Sequence, residues 1–214
     1  MTKEQCIQSI MDTGVVGIIR VNSAEELVNI CLALNKGGVK AIEITMTSPG
    51  ALEAIREAKK RLGDEAIIGA GTVLDSESGR AVIMTGAKFI VGPTFNLDLA
   101  KLCRRYGVAY IPGAFTPNEI LNAWENGADV VKVFPITQHG PTYIKDILGP
   151  LPNIRLTPTG GITLGNIGNF MKAGACFVGV GGALVNKQLI KEKKWDELSV
   201  LAGQFIEAVK KSRS

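Results

Sequence analysis

The sequence predicts an α/β fold, a (β/α)8 barrel preceded by an extra N-terminal helix. Two observations support this prediction: short runs rich in Val and Ile recur along the chain, and amphipathic helical stretches separate them. Eight such runs in 214 residues leave about 25 residues for each strand–helix unit, near the low end for such a barrel. A doubly wound open sheet is the alternative, but it normally uses fewer strands.

Most of the predicted strands begin directly after a glycine. The six strands of this kind are GVVGIIR at Gly14, GVKAIEIT at Gly38, GAKFIVGP at Gly86, GVAYIPGA at Gly107, GADVVKVFP at Gly127 and GACFVGVGGA at Gly174. The other two are EAIIGAGTV around Ile67 and NIRLTPTGG around Ile154. Each run is bounded by Gly or Pro, which is typical of strands in a barrel.

Helix start signals stand between the strands. Ser23 and Glu26 have the spacing of a capping box, and Gly37 and Gly38 supply a stop. Further starts are predicted at Ser48-Pro49, at Asn96 and at Thr116-Pro117, where proline takes the first helical position. A helix from about Lys3 to Met11 is expected to cover the bottom of the barrel.

Composition excludes several classes of protein. No linker or low-complexity tract interrupts residues 1–214, so one domain is expected. No apolar run approaches the ~20 residues of a membrane span, and the first residues carry no apolar core of a signal peptide. The net charge of +4 comes without a basic block beside aromatics, which disfavours nucleic-acid binding.

Cysteine and histidine usage indicates a cytoplasmic protein without a metal site. Cys6, Cys31, Cys103 and Cys176 are far apart and form no CxxC pair, which predicts reduced, packed thiols. His139 is the single histidine of the chain, so a His-rich metal site or a Ser-His-Asp triad has too few candidates. We therefore expect no metal and no cofactor.

Two ionisable residues interrupt the apolar strands. Alternation along AIEIT places Glu43 on the inner face of its strand, and alternation along DVVKVFP places Lys132 there. Each lies five residues after the glycine that opens its strand, so both should lie at one height near the catalytic mouth of the barrel. Lys40 and Lys88 follow their glycines by only two residues and are expected at the bottom.

This pair matches the needs of Schiff-base chemistry. Burial in an apolar strand favours the neutral amine of a lysine, which can then attack a carbonyl carbon. A carboxylate beside it can move protons next to the resulting iminium. A buried ion pair with only a structural role is the alternative, but desolvation costs at least as much as the attraction returns.

Two glycine-rich turns predict an anion site. Thr159-Gly160-Gly161 follows the seventh strand, and Gly181-Gly182 follows the eighth. Barrel enzymes frequently bind phosphate there, because backbone N–H groups converge on the anion. Tight turns without a ligand are the alternative. Neither segment matches GxxxxGK[ST] or GxGxxG, so a nucleotide or dinucleotide site is not supported.

Seven segments in register resemble the 2-dehydro-3-deoxy-6-phosphogluconate and 4-hydroxy-2-oxoglutarate aldolase family. They are GGVKAIEIT, IIGAGTVL, FIVGP, YIPGAFTPNEI, VVKVFP, LTPTGGI and VGVGGALV, and they span nearly the whole chain. The resemblance implies a class I aldolase that splits a phosphorylated 2-keto-3-deoxy sugar acid into pyruvate and glyceraldehyde 3-phosphate. It also implies a homotrimer of (β/α)8 barrels that needs no metal.

The resemblance assigns roles residue by residue. Lys132 matches the Schiff-base lysine, and Glu43 matches the general acid/base. The matching substrate-binding positions are Thr72 near the pyruvate carboxylate, Pro93 and Phe134 in the pocket wall, and Gly160, Gly161, Gly181 and Gly182, beside Thr159, around the phosphate.

The chain departs from the family pattern at two positions. Thr47 stands where some relatives have an arginine for the substrate carboxylate, and Arg20 at the end of the first strand is the candidate replacement. Gly182 stands where others have serine, which removes a hydroxyl donor from the phosphate turn.

Two other functions remain open on the sequence alone. A ribulose-phosphate epimerase or a barrel like thiamine-phosphate synthase would share the phosphate turns, but would need metal ligands or another acid/base set. A non-catalytic phosphosugar-binding barrel would leave Lys132 and Glu43 without a task.

Overall fold

A computed structural model of the chain describes residues 1–21 and 24–213. The predicted capping box at Ser23 lies outside the described residues. The α/β class is confirmed, with short parallel strands alternating with helices along the chain. No helix in the described part of the chain is long and apolar enough to cross a bilayer.

All eight predicted strand segments contain strands. The bounds are β1 Val15–Ile19, β2 Ala41–Thr45, β3 Ile67–Gly71, β4 Phe89–Val91, β5 Ala109–Ile111, β6 Gly113–Ala114, β7 Val131–Val133, β8 Leu156–Pro158 and β9 Val178–Val180. The fifth predicted strand is divided into β5 and β6 at Pro112, since proline has no N–H to donate to a neighbouring strand.

The described strands form two parallel sheets. Six strands lie in the order β5-β4-β3-β2-β1-β9, and three lie in the order β6-β7-β8. Backbone contacts join the two sheets at both ends. The Asp129 N–H donates to the carbonyl oxygen of Tyr110 in β5 at 2.9 Å, while Thr159, directly after β8, forms a parallel bridge with Gly179 in the middle of β9.

The helices fall between the strands as the periodicity predicts. Their bounds are α1 Lys3–Thr13, α2 Ala24–Lys36, α3 Ala51–Leu62, α4 Ser76–Ile83, α5 Leu97–Tyr106, α6 Pro117–Glu125, α7 Gly140–Leu148, α8 Ile167–Lys172, α9 Lys187–Lys191 and α10 Trp195–Arg213. Asn96 and Thr116 are N-caps, as predicted. The helix predicted at Ser48-Pro49 begins later, at Ala51, because the Ser48 hydroxyl instead accepts a hydrogen bond from the Val21 N–H.

Two apolar clusters separate the faces of the strands. Ile42, Ile44 and Val131 belong to the large cluster shared with the helices. Ala41 and Val130 belong to the smaller cluster on the other face. The alternation predicted for β2 and β7 is therefore confirmed, which also puts Glu43 and Lys132 on the face opposite the helix layer.

Helix α1 packs against the smaller cluster, as expected for a helix that covers the bottom. Its residues Cys6, Ile7 and Ile10 are buried there with Phe89 and Phe177 from the strands. This apolar floor excludes water from below, so ionisable groups on the same face can meet solvent only at the carboxyl ends of the strands.

All four cysteines are free thiols, as predicted. Cys6, Cys31 and Cys103 are buried and Cys176 is half-buried. Burial raises the pKa of each of these thiols to about 12. They are therefore protonated packing residues at neutral pH rather than nucleophiles.

Candidate active site

A cleft of about 580 Å³ lies at the carboxyl ends of the strands. Eleven of the twelve residues proposed from the sequence line it: Arg20, Glu43, Thr72, Pro93, Lys132, Phe134, Thr159, Gly160, Gly161, Gly181 and Gly182. They come from segments spread between positions 20 and 182, so only the folded chain brings them together. This is the end of parallel strands where α/β proteins place their ligands.

Lys132 lies in the middle of β7, and its side chain is at the base of the cleft. The residue is only 8% exposed. Its neighbours across the sheet are Gly113 on β6 and Thr157 on β8, and its Nζ lies 4.9 Å from the centroid of the Phe134 ring. One side of the amine thus faces an aromatic ring, while the cleft leaves another side open to a small molecule.

Glu43 is more deeply buried, at 2% exposure on β2. The neighbouring strand β3 leaves space for this side chain at Gly71, where a Cβ atom would collide with the Glu43 carboxyl group. Burial raises the pKa of Glu43 above its usual range, and the positive charges of Lys132 and Arg20 partly oppose this rise. A carboxyl group with a raised pKa can both accept and return a proton near neutral pH.

Glu43 and Lys132 share the cleft without forming a direct ion pair. Among the described residues no nitrogen–oxygen contact of 4.0 Å or less joins the two side chains. The amine and the carboxyl group therefore line one cleft at a separation longer than that of a direct ion pair.

The two glycine-rich turns also line the cleft. Gly160 and Gly161 have φ angles of 107° and 67°, a region that favours glycine. Both also approach Thr137, whose side chain lies 3.0–3.1 Å from where a Cβ atom would stand. Gly181 and Gly182 differ, because a Cβ atom there would have no neighbour within 4 Å. The second turn therefore has room for a ligand.

Thr72 lines the cleft and has an unfavourable backbone conformation. Its φ is 56°, in the left-handed region that a β-branched residue rarely adopts. Strain of this kind costs about 1–3 kcal/mol and is concentrated at functional sites. The strained conformation indicates that the backbone or the hydroxyl group of Thr72 has a functional role in the cleft.

Arg20 and Thr47 occupy different positions, although the sequence links both to the substrate carboxylate. Arg20 is exposed at the rim and lines the cleft. Thr47 is exposed but outside the lining, and its hydroxyl lies 3.1 Å from the Thr45 hydroxyl. The structure thus places a cation at the cleft from β1 rather than from the segment after β2.

Sequence reasoning missed Lys187, which also lines the cleft. It is exposed at the first residue of α9, five residues after Gly182. Its position shortly after a glycine-rich turn could have predicted that it lies near the proposed anion site. With Arg20 and Lys132 it gives the cleft three cationic side chains against the single carboxylate of Glu43 among the described lining residues. This excess suits an anionic ligand.

Comparison with known proteins identifies the family of this chain. A family model described as "Aldolase: KDPG and KHG aldolase" matches residues 7–201. The chain belongs to the KDPG and KHG aldolase family. It is an aldolase, a carbon–carbon lyase.

The aldolase is similar over most of its length to other proteins named as aldolases. It is 33% identical over 210 residues to a 2-dehydro-3-deoxy-phosphogluconate aldolase of Haemophilus influenzae, covering 98% of this chain and 99% of the relative. A solved KDPG aldolase from Legionella pneumophila, with pyruvate captured as a covalent carbinolamine, is 26% identical, with a TM-score of 0.84 and coverage of 93% and 97%.

A designed assembly also contains a similar domain. A cube-shaped protein cage made by fusing symmetric oligomeric domains gives a TM-score of 0.86 at 30% identity, covering 94% of this chain and 73% of the cage chain.

Potential metal ligands do not cluster in the part of the chain that the structure describes. No group of three or more His, Cys, Asp or Glu side chains there could hold a metal ion. His139 instead packs on Phe115 and Tyr143, with ring centroids 4.9 and 5.2 Å away.

Arg20 should tune the protonation of Glu43. Its positive charge stabilises the carboxylate, so Arg20→Gln should raise the Glu43 pKa and move the acidic limb of kcat/KM to higher pH. The pH profile of aldol cleavage measures this shift. Lys187→Gln is the matched control, since the cleft cation it removes is not one of the charges that lower the Glu43 pKa, and the acidic limb of this variant should not move. If the acidic limb of the pH profile does not move in Arg20→Gln, the electrostatic interaction of Arg20 with Glu43 is contradicted.

Proposed function

We propose that this aldolase cleaves 2-dehydro-3-deoxy-6-phosphogluconate to pyruvate and D-glyceraldehyde 3-phosphate through a Schiff base on Lys132, and that it also accepts 4-hydroxy-2-oxoglutarate, releasing pyruvate and glyoxylate. The buried side chain of Lys132, which lines the cleft together with the Glu43 carboxyl group, carries this proposal. The names of the family and of the Haemophilus relative, and the carbinolamine of the Legionella neighbour, support it.

The reaction begins with attack of the Lys132 amine on the ketone carbon C2. The carbinolamine that forms loses water to give an iminium, and its positive charge withdraws electrons from the C3–C4 bond. Glu43 takes the proton of the C4 hydroxyl, the C3–C4 bond breaks, and the aldehyde leaves. Glu43 then returns the proton to C3 of the enamine, and hydrolysis of the resulting iminium releases pyruvate and the Lys132 amine.

The remaining lining residues would hold the substrate around this reaction. Thr72 and Arg20 are assigned to the pyruvate carboxylate, and Pro93 and Phe134 to the apolar wall beside C3. Thr47 lies outside the cleft and has no assigned contact. Thr159 with the glycine pairs Gly160–Gly161 and Gly181–Gly182 is assigned to the phosphate through backbone N–H groups.

The two sheets are proposed to close into one (β/α)8 barrel, formed by a single domain of residues 1–214. The hydrogen bonds from Lys132 N to Pro112 O at 2.8 Å and from Cys176 N to Leu156 O at 3.0 Å support closure, as does the Thr159–Gly179 bridge. In this arrangement β5 and β6 together make the fifth strand.

A homotrimer in the cytoplasm is proposed as the working form, without nucleic acid or membrane as a partner. The resemblance of the sequence to trimeric aldolases supports the oligomer, and so does the use of a similar domain in a cage of symmetric oligomers. Four free, buried or half-buried thiols fit a reducing compartment.

Reductive trapping tests the role of Lys132. Borohydride added with pyruvate should reduce the imine and leave a pyruvate-derived mass on Lys132, because this is the lysine at the base of the cleft. Peptide mapping locates the mass, and Lys132→Met should abolish both trapping and cleavage. Lys187→Gln, at the other cation of the cleft, should still be trapped. A mass on Lys40, Lys88 or Lys145 would overturn the assignment.

Gly182→Ser tests the phosphate site. The position has no neighbour within 4 Å of an added Cβ atom, so serine fits without strain and supplies a hydroxyl donor. We expect the KM for the phosphorylated substrate to fall about 3- to 10-fold, in line with one added hydrogen bond. The KM for 4-hydroxy-2-oxoglutarate, which has no phosphate, should change little. Equal changes for both substrates would remove Gly182 from the phosphate site.

A further inference from the structure

Thr157 is a buried hydroxyl residue next to Lys132 that the reaction described above does not use. It lies on β8 directly opposite Lys132 in the parallel register of β7 and β8. It is 2% exposed, and among the buried side-chain atoms of the described residues its Oγ1 is the one without a hydrogen-bond partner. Buried hydroxyls are nearly always hydrogen-bonded, so an orphan beside a reactive amine requires an explanation.

A small cavity beneath the cleft connects this hydroxyl to the catalytic pair. Glu43, Lys132 and Thr157 all line it, and its apolar floor includes Val16 and Phe177. It leaves about 10 Å³ of free space, enough for about one water molecule. With a carboxyl group, an amine and a hydroxyl around it, a water here has the two to four polar partners that a buried water needs.

We propose that Thr157 is a positioning residue that anchors one water molecule between Lys132 and Glu43, and that this water carries the proton from the Lys132 ammonium to the Glu43 carboxylate. The Thr157 hydroxyl can donate to or accept from the water, which leaves the water free to accept from Lys132 and to donate to Glu43. The inference rests on the proposed role of Lys132 in imine formation.

The proton transfer balances over the first half of the reaction. The ammonium loses one proton to the water, the water passes one proton to Glu43, and the products are a neutral amine and a protonated carboxyl group. The amine then attacks C2. When the carbinolamine hydroxyl leaves, the Glu43 proton joins it to form water, and Glu43 is again a carboxylate.

Two further observations fit this path. Glu43 and Lys132 make no direct contact of 4.0 Å or less among the described residues, so a bridging group is needed for transfer between them. The pKa of Glu43 is raised by burial against the opposing charges of Lys132 on β7 and Arg20 after β1, so the carboxylate binds a proton more readily than an exposed glutamate does.

Thr157→Val tests the proposal, since valine keeps the branched shape and removes the hydroxyl. The rate of imine formation with pyruvate, followed by rapid quenching into borohydride across pH, should fall roughly 10- to 100-fold at neutral pH, as for a lost hydrogen bond to a charged group. This reduction in the rate of imine formation should become smaller as pH rises, because hydroxide can then take the lysine proton directly. Thr157→Ser is the matched control and should keep the rate and the pH profile of the unmodified enzyme.

Thr157→Ala keeps the test decisive if the valine variant does not fold. Alanine also lacks the hydroxyl but leaves room for an additional water molecule. The rate of imine formation should therefore show the same pH-dependent reduction, but a smaller one than in Thr157→Val. Wild-type rates in both variants, or a deficit of equal size at every pH, would overturn the role of Thr157. Loss of trapping at Lys132 in the unmodified enzyme would instead refute the proposed function, so the two failures are distinguishable.

Discussion

The burial of the Glu43 carboxyl group on the inner face of β2, close to Lys132 but not paired with it, is the constraint on which the rest of the site depends. Removal of a carboxylate from water is costly unless a close partner compensates. Here compensation is partial, since Lys132 and Arg20 lower the pKa of Glu43 less than burial raises it. The surrounding strands accommodate this arrangement, with Gly71 leaving the space that the carboxyl group fills.

The site therefore carries several costs that the rest of the fold must offset. Because the pKa of Glu43 in the folded protein lies above the ordinary value of 4.5, the folded chain binds this proton more tightly than the unfolded chain does. The contribution of Glu43 to the free energy of unfolding is therefore present below pH 4.5 and is lost as pH rises through the folded-state pKa. The left-handed backbone conformation of Thr72 adds to this cost.

Sequence patterns predict the strands, most of the helix starts and the position of Glu43 and Lys132 in one cleft. The two-residue period of strands predicts that Glu43 and Lys132 face inwards. Both of their strands open with a glycine, and the common distance of five residues from that glycine predicts that they lie at one height. Other features depend on contacts between distant segments. The division of β5 from β6 reflects hydrogen bonding at Pro112, the cleft position of Lys187 depends on the path of the chain after β9, and the orphan state of Thr157 depends on its neighbours in space.

Direct titration of Glu43 tests most sharply whether an unpaired buried carboxyl group governs this site. Carbon-13 NMR of glutamate-labelled protein, with the Glu43 signal assigned through Glu43→Gln, gives its midpoint. The midpoint should lie above 4.5 in the unmodified protein and higher still in Lys132→Met, because that change removes the first of the two positive charges that hold it down. A midpoint at or below 4.5, or one that does not move in Lys132→Met, would contradict the electrostatic coupling described for the pair.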